Sequence, residues 1–537
     1  MDYDLILRGG TLYDGSGSPG YTGDLAINGE AIAALGQLAG DHGRREINAA
    51  GLAVAPGFIN MLSWATESLI ADGRSQSDIR QGVTLEVMGE GFSFGPLNDD
   101  MKRTMRAEQR DVRFDVEWTT LDEYLEHLAR RGVSTNVASF VGTATVRINV
   151  VGHAARSPNA AELETMCGLV RQAMAEGALG VSSALIYAPD CFYKTGELIA
   201  LARAAAEYDG MYISHIRSEG NAFLEALDEL IHIARQANIR AEVYHFKAAG
   251  RANWNKLEAA IAKIEAARAE GLAITADMYP YTAGATGLDA TMPRWVQEGG
   301  HRAWVERLMD PAIRERLRRE MNTPSNDWEN MFLGVGSPDN ILFLAFKNEA
   351  LKHLTGKTLA EVAAQRGQAP EETIMDLVVE DDSRVEAAFF MIAEDNIRRE
   401  AALPWVSLDS DEASLAPEGV FLKSNPHPRA YGNFARFLGK YVRDEKIVSL
   451  EEAVRRMAAL PADNLKLTRR GRLAPGFFAD VAVFDAAKIQ DHATFAQPHQ
   501  YSTGMVHVFV NGVQVLHSGE HTGARPGQVV RGPGWRR

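Results

Sequence analysis

Short apolar runs that end in an acidic or an imidazole side chain recur along this chain. Three runs end at Glu90, His215 and His245, and a fourth leads into Asp409 and Asp411. Each run is typical of a buried parallel strand, because it is apolar almost throughout. Parallel strands of one sheet present their carboxyl ends at the same face, so these side chains are expected to meet there. A Glu, two His and an Asp at one face indicate a metal-dependent hydrolytic site.

Helical and strand patterns alternate through the middle of the chain, most clearly between residues 157 and 282. Ser157 and Pro158 predict a helix start, and Gly177 predicts the end of that helix. Four short apolar strands with helical segments between them follow. They are Leu179–Leu185, Met211–His215, Ala241–His245 and Leu272–Asp277. Such repeated strand–helix units predict a parallel sheet.

The alternating region, residues 57–460, is long enough to predict a distorted (β/α)8 barrel of the TIM type rather than an open sheet. Residues 289–345 are charged, contain three tryptophans and break the alternation, which indicates an insertion. Residues 1–56 and 465–537 contain short strands and tight turns instead. We expect these two ends to form one small β-sandwich domain, so the predicted fold class is α/β with a β satellite.

The composition is that of an ordinary globular protein, with 46% apolar and 24% charged residues. The formal net charge of -15 argues against a nucleic-acid partner and against a membrane partner, since both need a basic surface. No apolar span long enough to cross a bilayer and no signal peptide are visible. The two cysteines, Cys167 and Cys191, predict a reducing and therefore cytoplasmic location.

Two histidines are the first candidates for metal ligands. His215 and His245 end successive predicted strands in the same orientation, so their imidazoles are expected within reach of one ion. Glu90 is the third candidate, because glycines on both sides of it let the backbone turn sharply around its carboxylate. Glu86 lies on the same side of that strand by alternation and remains a rival.

Asp411 follows the last predicted barrel strand and is the candidate base that would hold a water molecule and accept its proton. Asp409 is its rival by register. Cations near the same strand ends suit a ligand that carries a carboxylate. The side chains expected to line the substrate pocket are Lys247, Arg217, Arg429 and Tyr279.

The motifs that carry these residues resemble those of the amidohydrolase superfamily, and within it the N-acyl-D-amino-acid deacylase (D-aminoacylase) branch. The resemblance covers nearly the whole chain. The matching motifs are Ala55–Ile59, Ile213–Arg217, Tyr244–Gly250, Asp277–Tyr281, Asn425–Arg429 and Arg470–Asp480. The resemblance implies a distorted metal-dependent barrel, a β-sandwich from both chain ends, and hydrolysis of an amide bond by a metal-bound hydroxide.

The resemblance also implies roles for individual residues. The family's metal histidines fall on His215 and His245, and its catalytic aspartate falls on Asp411. Its cations for the substrate carboxylate fall on Lys247 and Arg429. The expected partner is a small N-acyl amino acid or a related amide, and the sequence leaves a homo-oligomer open.

Two departures from the family pattern change the expected metal count. Leu62 and Trp64 stand where the family has a pair of metal-binding histidines, and neither side chain can ligate zinc. The family's ligating Cys is also absent, and Glu90 would take its place. We therefore expect one zinc ion per chain, held by Glu90, His215 and His245 with a fourth position for water. Leu62 and Trp64 would fill the second site with apolar bulk, and Trp64 would line the substrate pocket.

Two alternative functions stay open at this point. One is an amidohydrolase that cleaves another C–N bond, such as that of a cyclic amide, a carbamate or a peptide. The other is an inactive barrel that serves as a binding protein, which the loss of the histidine pair favours. Retention of the other candidate residues argues against it, because an inactive site has no physical need for all of them.

Overall fold

Eight parallel strands form a closed barrel in the computed structural model, which describes residues 2–536. Their bounds are Phe58–Asn60, Val83–Met88, Asn136–Ser139 with its continuation Val141–Gly142, Gly180–Ala184, Met211–His215, Arg240–Val243, Ile274–Met278 and Val406–Leu408. Successive strands pair in parallel. Three backbone hydrogen bonds join the first strand region to the last. They run from Met61 N to Leu408 O (3.3 Å), from Asp411 N to Leu62 O (2.9 Å) and from Trp64 N to Glu412 O (3.0 Å). The predicted TIM-type barrel is confirmed.

The barrel strands are short and buried on both faces. Every residue of Val83–Met88, Gly180–Ala184 and Met211–His215 is buried. Burial on both faces explains why these strands appear in the sequence as continuous apolar runs. It also means that a polar residue near a strand end has no solvent to face and must find a partner inside the barrel mouth.

Helices alternate with the strands of the barrel. Those before the seventh strand are Ser68–Ala71, Gln76–Ile79, Asp99–Glu108, Leu121–Arg131, Thr143–Val150, Ala160–Glu176, Thr195–Ala206, Phe223–Ala237 and Leu257–Ala269. In Phe223–Ala237 the residues Leu227, Leu230 and Ala234 are buried at helical spacing. The alternation of helix and strand predicted from the sequence is therefore present.

One predicted helix start is wrong. The helix expected to begin at Ser157 and Pro158 is Ala160–Glu176, and its N-cap is Asn159. The Asn159 side chain accepts a hydrogen bond from Glu162 N, and the Glu162 carboxylate accepts one from Asn159 N, at 2.9 and 2.8 Å. This capping box satisfies backbone donors at both residues, which a start at Ser157 would not.

The chain leaves the barrel pattern between the seventh and eighth strands. Three antiparallel strands form a small separate sheet here, namely Ala283–Gly287, Ile341–Ala345 and Glu386–Phe390. The helices of this segment are His301–Leu308, Pro311–Met321, Met331–Gly334, Leu359–Arg366, Pro370–Asp381 and Glu394–Ala401. Residues 289–345, expected as an insertion, lie inside this longer excursion.

Helices that follow the eighth strand connect the barrel to the last part of the chain. They are Arg429–Arg436, the π-helical Phe437–Asp444, Leu450–Val454, the π-helical Arg455–Ala459, and Leu460–Asn464. Short 3₁₀ turns occur at Asp190–Phe192, Arg251–Lys256, Leu288–Thr291, Arg294–Gln297, Pro338–Asn340, Lys352–Leu354 and Gly419–Lys423.

Strands from both chain ends form one nine-stranded sheet beside the barrel. They are Asp2–Leu12, Tyr21–Asn28, Ala31–Gly36, His42–Asn48, Ala53–Pro56, Val481–Phe484, Met505–Val510, Val513–His517 and Glu520–His521. The two ends meet where Val481–Phe484 pairs antiparallel with Ala53–Pro56. Buried residues of both ends, including Leu5, Leu25 and Val483, form its core. The small β domain beside the barrel is therefore confirmed.

The helices within residues 2–536 are too short or too polar to span a lipid bilayer.

Candidate metal centre

Glu90 lies at the barrel mouth just beyond the strand Val83–Met88. The glycines on either side of it adopt positive φ angles, 106° at Gly89 and 62° at Gly91. A Cβ at Gly89 would lie 2.4 Å from Phe140 O, and one at Gly91 would lie 2.6 Å from the Ala184 side chain. Only glycine fits at both positions. The two turns bring the Glu90 carboxylate over the barrel interior.

Two histidine rings meet this carboxylate. Glu90 Oε1 is 3.0 Å from His215 Nδ1 and 3.0 Å from His245 Nε2. His215 is the last residue of the strand Met211–His215, and His245 follows the strand Arg240–Val243. All three side chains are buried. Burial alone would raise the pKa of Glu90, but the hydrogen bonds to His215 and His245 outweigh it and hold this pKa well below its usual value.

The donor set fits a zinc ion. One ligand atom from each of Glu90, His215 and His245 lies within 4.8 Å of the other two. Two ligands of a tetrahedral zinc ion are roughly 3.3 Å apart when each bond is ~2.0 Å, close to the 3.0 Å separations found here. One carboxylate and two imidazoles with a remaining open position is a common catalytic zinc set. Among residues 2–536 this is the one cluster of such side chains with that spacing.

Glu86, the rival candidate, has other partners. Its Oε2 accepts a hydrogen bond from Asn60 Nδ2 at 3.2 Å. Burial, and then the nearby charge of Asp78, raise the pKa of Glu86 well above its usual value. Asn60 also donates to Ser410 Oγ at 2.8 Å, which ties the first strand to the last. Glu86 therefore belongs to a buried polar network between strands rather than to the cluster around Glu90.

Asp411 lies at the same mouth and is held at both carboxylate oxygens. Trp64 Nε1 donates to its Oδ1 at 3.1 Å, and Arg429 Nη2 contacts its Oδ2 at 2.9 Å. The backbone of Asp411 has a φ of 45°, which turns the chain directly after the eighth strand. Burial raises the pKa of Asp411 and the Arg429 charge opposes that rise, with a net upward shift.

Asp409, the rival by register, lies deeper. Asn433 Nδ2 donates to its backbone carbonyl. Burial, and then the charge of Asp411, raise the pKa of Asp409 to about 7. Asp277 lies beside it, and the pKa of Asp277 is raised well above its usual value by burial and by the charge of Asp409. Asp409 thus belongs to a group of buried acids inside the barrel.

Leu62 and Trp64 occupy the rim of the first strand in different ways. Leu62 is fully buried among apolar side chains that include Val87 and Tyr244. Trp64 is 36% exposed and points its indole N–H at Asp411. At the two positions where the family resemblance implies histidines, the structure therefore has a core side chain, Leu62, and a hydrogen-bond donor, Trp64.

Lys247 is buried beside His245. Its Nζ is 2.8 Å from His245 Nδ1, 2.7 Å from His245 O and 2.5 Å from Glu219 Oε1. Burial acts to lower the pKa of Lys247, but the Glu219 carboxylate outweighs it and raises this pKa above its usual value. Burial and Lys247 act to lower the pKa of His245, yet Glu219 and Glu90 raise it to about 10. Glu219 was missed by the sequence analysis. Its position four residues after His215, in the same loop, was the available signal.

Arg429 and Tyr279 complete one wall of the mouth. The Arg429 guanidinium lies over the Tyr279 ring at 4.3 Å, and Lys247 Nζ lies 5.4 Å from the same ring. Arg429 is 1% exposed. Its Nε and Nη1 have no hydrogen-bond partner in the part of the chain that the structure describes. The structure thus brings both predicted cations and the predicted tyrosine together, with donor groups of Arg429 unused.

Arg217 points elsewhere. Its guanidinium makes two hydrogen bonds to Glu229, at 2.7 and 2.9 Å, and two more to the carbonyl oxygens of Cys191 and Tyr193, each at 3.1 Å. These contacts use its Nε and both Nη atoms to anchor the loop after the fifth strand to a neighbouring helix and loop. The structure therefore does not bring Arg217 to the wall formed by Lys247 and Arg429.

An aromatic side chain that the sequence analysis missed packs on the other side of the centre. The Tyr187 ring is 5.3 Å from the His215 ring in an edge-on arrangement. The Arg384 guanidinium lies 5.1 Å from the Tyr187 ring and donates to Asp289 at 2.8 Å. Tyr187 follows the fourth strand, whereas Arg384 and Asp289 come from the excursion before the eighth. No local pattern in the sequence signals this contact.

The chain is similar to known proteins over most of its length. A family model described as Amidohydrolase family matches residues 45–516. A D-aminoacylase from Alcaligenes xylosoxydans xylosoxydans is 32% identical over 532 residues, which cover 98% of this chain and 97% of that protein.

Two solved structures are similar over almost their whole length. An N-acyl-D-glutamate deacylase from Bordetella bronchiseptica, complexed with zinc and a phosphonate inhibitor that mimics the tetrahedral intermediate, has a TM-score of 0.81 and 30% identity, covering 99% of this chain and 100% of that one. A D-aminoacylase whose binuclear metal centre is described in terms of one-metal activation and second-metal attenuation has a TM-score of 0.82 and 30% identity, covering 98% and 100%.

Proposed function

We propose that this chain, which belongs to the amidohydrolase family, catalyses the metal-dependent hydrolysis of the amide bond of N-acyl-D-amino acids. The reaction type follows the similar D-aminoacylase and N-acyl-D-glutamate deacylase. A cytoplasmic location stays a prediction, supported by two buried cysteines that are both free.

One arrangement carries the proposal. A buried carboxylate oxygen of Glu90 lies 3.0 Å from one nitrogen of each of His215 and His245. Asp411 and the cation Arg429 lie at the same mouth, 2.9 Å apart. A binding protein without chemistry would have no use for a ligand set, a base and a cation in one pocket.

Glu90 Oε1, His215 Nδ1 and His245 Nε2 would hold one zinc ion. Zinc bound there would polarise the acyl carbonyl and lower the pKa of a bound water toward ~7. The absence of histidines at positions 62 and 64 supports a single zinc ion, since Leu62 is apolar and Trp64 directs its N–H to Asp411.

Asp411 would move the proton. Its carboxylate takes a proton from the attacking water as the new C–O bond forms at the acyl carbon. It then gives that proton to the amide nitrogen as the C–N bond breaks, which releases a carboxylate and a free amino acid. Trp64 and Arg429 hold the orientation of the Asp411 carboxylate during both proton transfers. Burial raises the pKa of Asp411, which favours its role as a general acid in the second transfer.

Arg429 and Lys247 would bind the carboxylate of the substrate. Nε and Nη1 of Arg429 are unpaired donors within residues 2–536, and a guanidinium N–H makes a strong charge-assisted hydrogen bond to a carboxylate. Lys247 already donates to Glu219, so it would attract the substrate carboxylate mainly by its positive charge. Tyr279 lies against both cations and would limit the space between them.

A hydrolysis screen tests the proposal. Purified enzyme with its metal quantified is offered matched N-acyl D- and L-amino acids, a cyclic amide, a carbamate and a dipeptide. We expect release of free amino acid from the D-acyl substrates, and loss of that release in Asp411→Asn. Turnover only of the cyclic amide, carbamate or dipeptide would overturn the substrate class, and turnover of none by metal-loaded protein would favour the binding-protein alternative.

A further inference from the structure

One buried carboxylate at the barrel mouth has no part in the reaction proposed above. Glu219 is 2% exposed and follows the strand Met211–His215 by four residues. Its Oε1 lies 3.0 Å from His245 Nδ1, 2.5 Å from Lys247 Nζ and 3.8 Å from His215 Nε2. Burying a carboxylate costs free energy unless the group is paired. Here one oxygen of the Glu219 carboxylate faces three side-chain nitrogen atoms.

The two imidazoles are therefore enclosed between two carboxylates. His245 turns Nε2 toward Glu90 and Nδ1 toward Glu219. His215 turns Nδ1 toward Glu90 and Nε2 toward Glu219. His215 Nε2 has no hydrogen-bond partner among residues 2–536, so Glu219 at 3.8 Å is the carboxylate that faces it. Each ring thus has one nitrogen for an ion and the opposite nitrogen directed at the same buried oxygen.

We propose that Glu219 is a positioning residue of the metal centre: it holds the hydrogen of His245 on Nδ1 and leaves the Nε2 lone pair free for the metal. A histidine ligand commonly donates its other N–H to a carboxylate, which sets its tautomer and makes it a stronger ligand. The inference rests on the proposed function only in that Glu90, His215 and His245 hold a metal.

The ammonium group of Lys247 would otherwise favour the opposite tautomer of His245. Its ammonium lies 2.8 Å from His245 Nδ1 and would donate to that nitrogen if nothing else accepted its protons. Such a bond would place the ring hydrogen on Nε2 and remove the lone pair that faces Glu90. Glu219 Oε1 accepts from Lys247 Nζ and lies 3.0 Å from His245 Nδ1, so one carboxylate oxygen is within reach of both nitrogen atoms.

The loop that carries Glu219 is held from several sides. Ala249 N donates to Glu219 O at 2.8 Å. Ser218 Oγ accepts from Gly220 N and donates to Glu329 Oε2 at 2.6 Å. The carboxylate is therefore attached to rigid structure, as a group that sets a ring orientation must be.

Zinc affinity of the substrate-free protein is the test, measured by competition with a chromogenic chelator after removal of metal. Glu219→Gln keeps the size of the side chain and loses its charge, and we expect zinc affinity to fall about 10- to 100-fold. Glu329→Gln is the matched control, because Glu329 contacts the same loop but neither ring. It should retain the affinity of the unchanged protein. Glu219→Asp, which keeps the charge on a shorter side chain, should lie between the two.

A double variant separates the tautomer role from simple support of the loop. Lys247→Met alone should keep zinc affinity, and Glu219→Gln with Lys247→Met should recover part of what Glu219→Gln loses, since the competing donor is gone. The Co²⁺-loaded protein should show a changed visible spectrum in Glu219→Gln and an unchanged spectrum in Glu329→Gln. Unchanged affinity in Glu219→Gln, or an equal loss in Glu329→Gln, would overturn the inference. None of these readouts involves substrate, so failure here is distinct from failure of the proposed hydrolysis.

Discussion

The indole Nε1 of Trp64 donates a hydrogen bond to Oδ1 of Asp411 over 3.1 Å. Trp64 stands where the family resemblance places a metal-binding histidine, and at this position the structure has a hydrogen-bond donor to Asp411. Arg429 contacts the other oxygen of Asp411 at 2.9 Å. Two protein groups thus fix the orientation of the Asp411 carboxylate.

Replacing Trp64 with Phe should slow turnover without loss of metal. The change keeps most of the aromatic bulk and removes the N–H, and a hydrogen bond to a charged group contributes about 1.5–3 kcal/mol. We expect kcat to fall roughly 10- to 100-fold, since each 1.4 kcal/mol is tenfold in rate. Steady-state kinetics and metal analysis of the same sample measure both effects.

Trp254→Phe is the matched control for this change. Trp254 Nε1 donates to Met391 O at 2.9 Å, so this variant also loses one indole hydrogen bond, but not one to Asp411. It should keep kcat. A kcat of Trp64→Phe equal to that of the unchanged protein would show that the indole does not orient the Asp411 carboxylate.

Asp411→Asn should abolish turnover and keep the metal. The amide cannot take a proton from water at neutral pH, and general acid–base catalysis contributes about 10²–10⁴-fold. Asp409→Asn should be much milder, because burial and the Asp411 charge raise the pKa of Asp409 to about 7 and favour its neutral form. Single-turnover kinetics on both variants distinguish the two acids. A larger loss in Asp409→Asn than in Asp411→Asn would exchange their roles.

Glu90→Gln should weaken zinc binding strongly, whereas Glu86→Gln should not. Both residues are buried on the same strand region, but only Glu90 contacts the two histidines. Dialysis against a chelator followed by elemental analysis compares the two variants. Equal zinc content in both would show that Glu90 is not a ligand.

Asp190 should contribute a decrease in stability as pH rises from ~4 to ~7. Burial raises its pKa to about 7, against hydrogen bonds from Ala184 N and Thr143 Oγ1 that lower it. The folded pKa lies above the unfolded value of 3.8, so this group's stabilisation is complete below pH ~4 and is lost as pH rises through ~7. The difference between these two pKa values corresponds to at most about 4 kcal/mol of folding stability.

Urea denaturation at several pH values between ~4.5 and ~8 measures this slope. Asp190→Asn should make the slope less steep, because the amide does not titrate. Asp395→Asn, at an acid whose side chain is 94% exposed, should leave it unchanged. A slope in Asp190→Asn equal to that of the unchanged protein would assign the pH dependence to other buried acids.

The barrel and much of its mouth could be predicted from the sequence because strand burial is visible there. A strand buried on both faces needs an apolar run, and the polar residue after it must face the mouth. Glu90, His215, His245 and Asp411 were found in this way. The helix start at Asn159 was missed, since two adjacent cap signals compete and the reciprocal capping box decided between them.

Lys247 and Arg217 show where spacing was insufficient. Each follows its histidine by two residues, and the sequence treats them alike. The sixth strand ends at Val243, and His245 has a φ of 34°, so the backbone turns and brings Lys247 inside. The fifth strand continues to His215, and Arg217 is directed to Glu229 instead. The local backbone conformation, which periodicity does not report, made the difference.

The excursion before the eighth strand was the least predictable part. It supplies Arg384 and Asp289 to the mouth from residues far from any barrel strand end. Asp289 lies in a short 3₁₀ turn and Arg384 in a loop, so no residue period in the sequence predicts where either side chain points. Glu219 lies in a shorter loop of the same kind, where only its distance from His215 was informative.

The central claim is that Glu90, His215 and His245 hold a single metal ion. A crystal grown with excess zinc and measured on both sides of the zinc absorption edge tests it directly. We predict one anomalous peak per chain, ~2.0–2.2 Å from Glu90 Oε1, His215 Nδ1 and His245 Nε2. Two peaks at the mouth, or no peak among these three atoms in zinc-replete crystals, would contradict it.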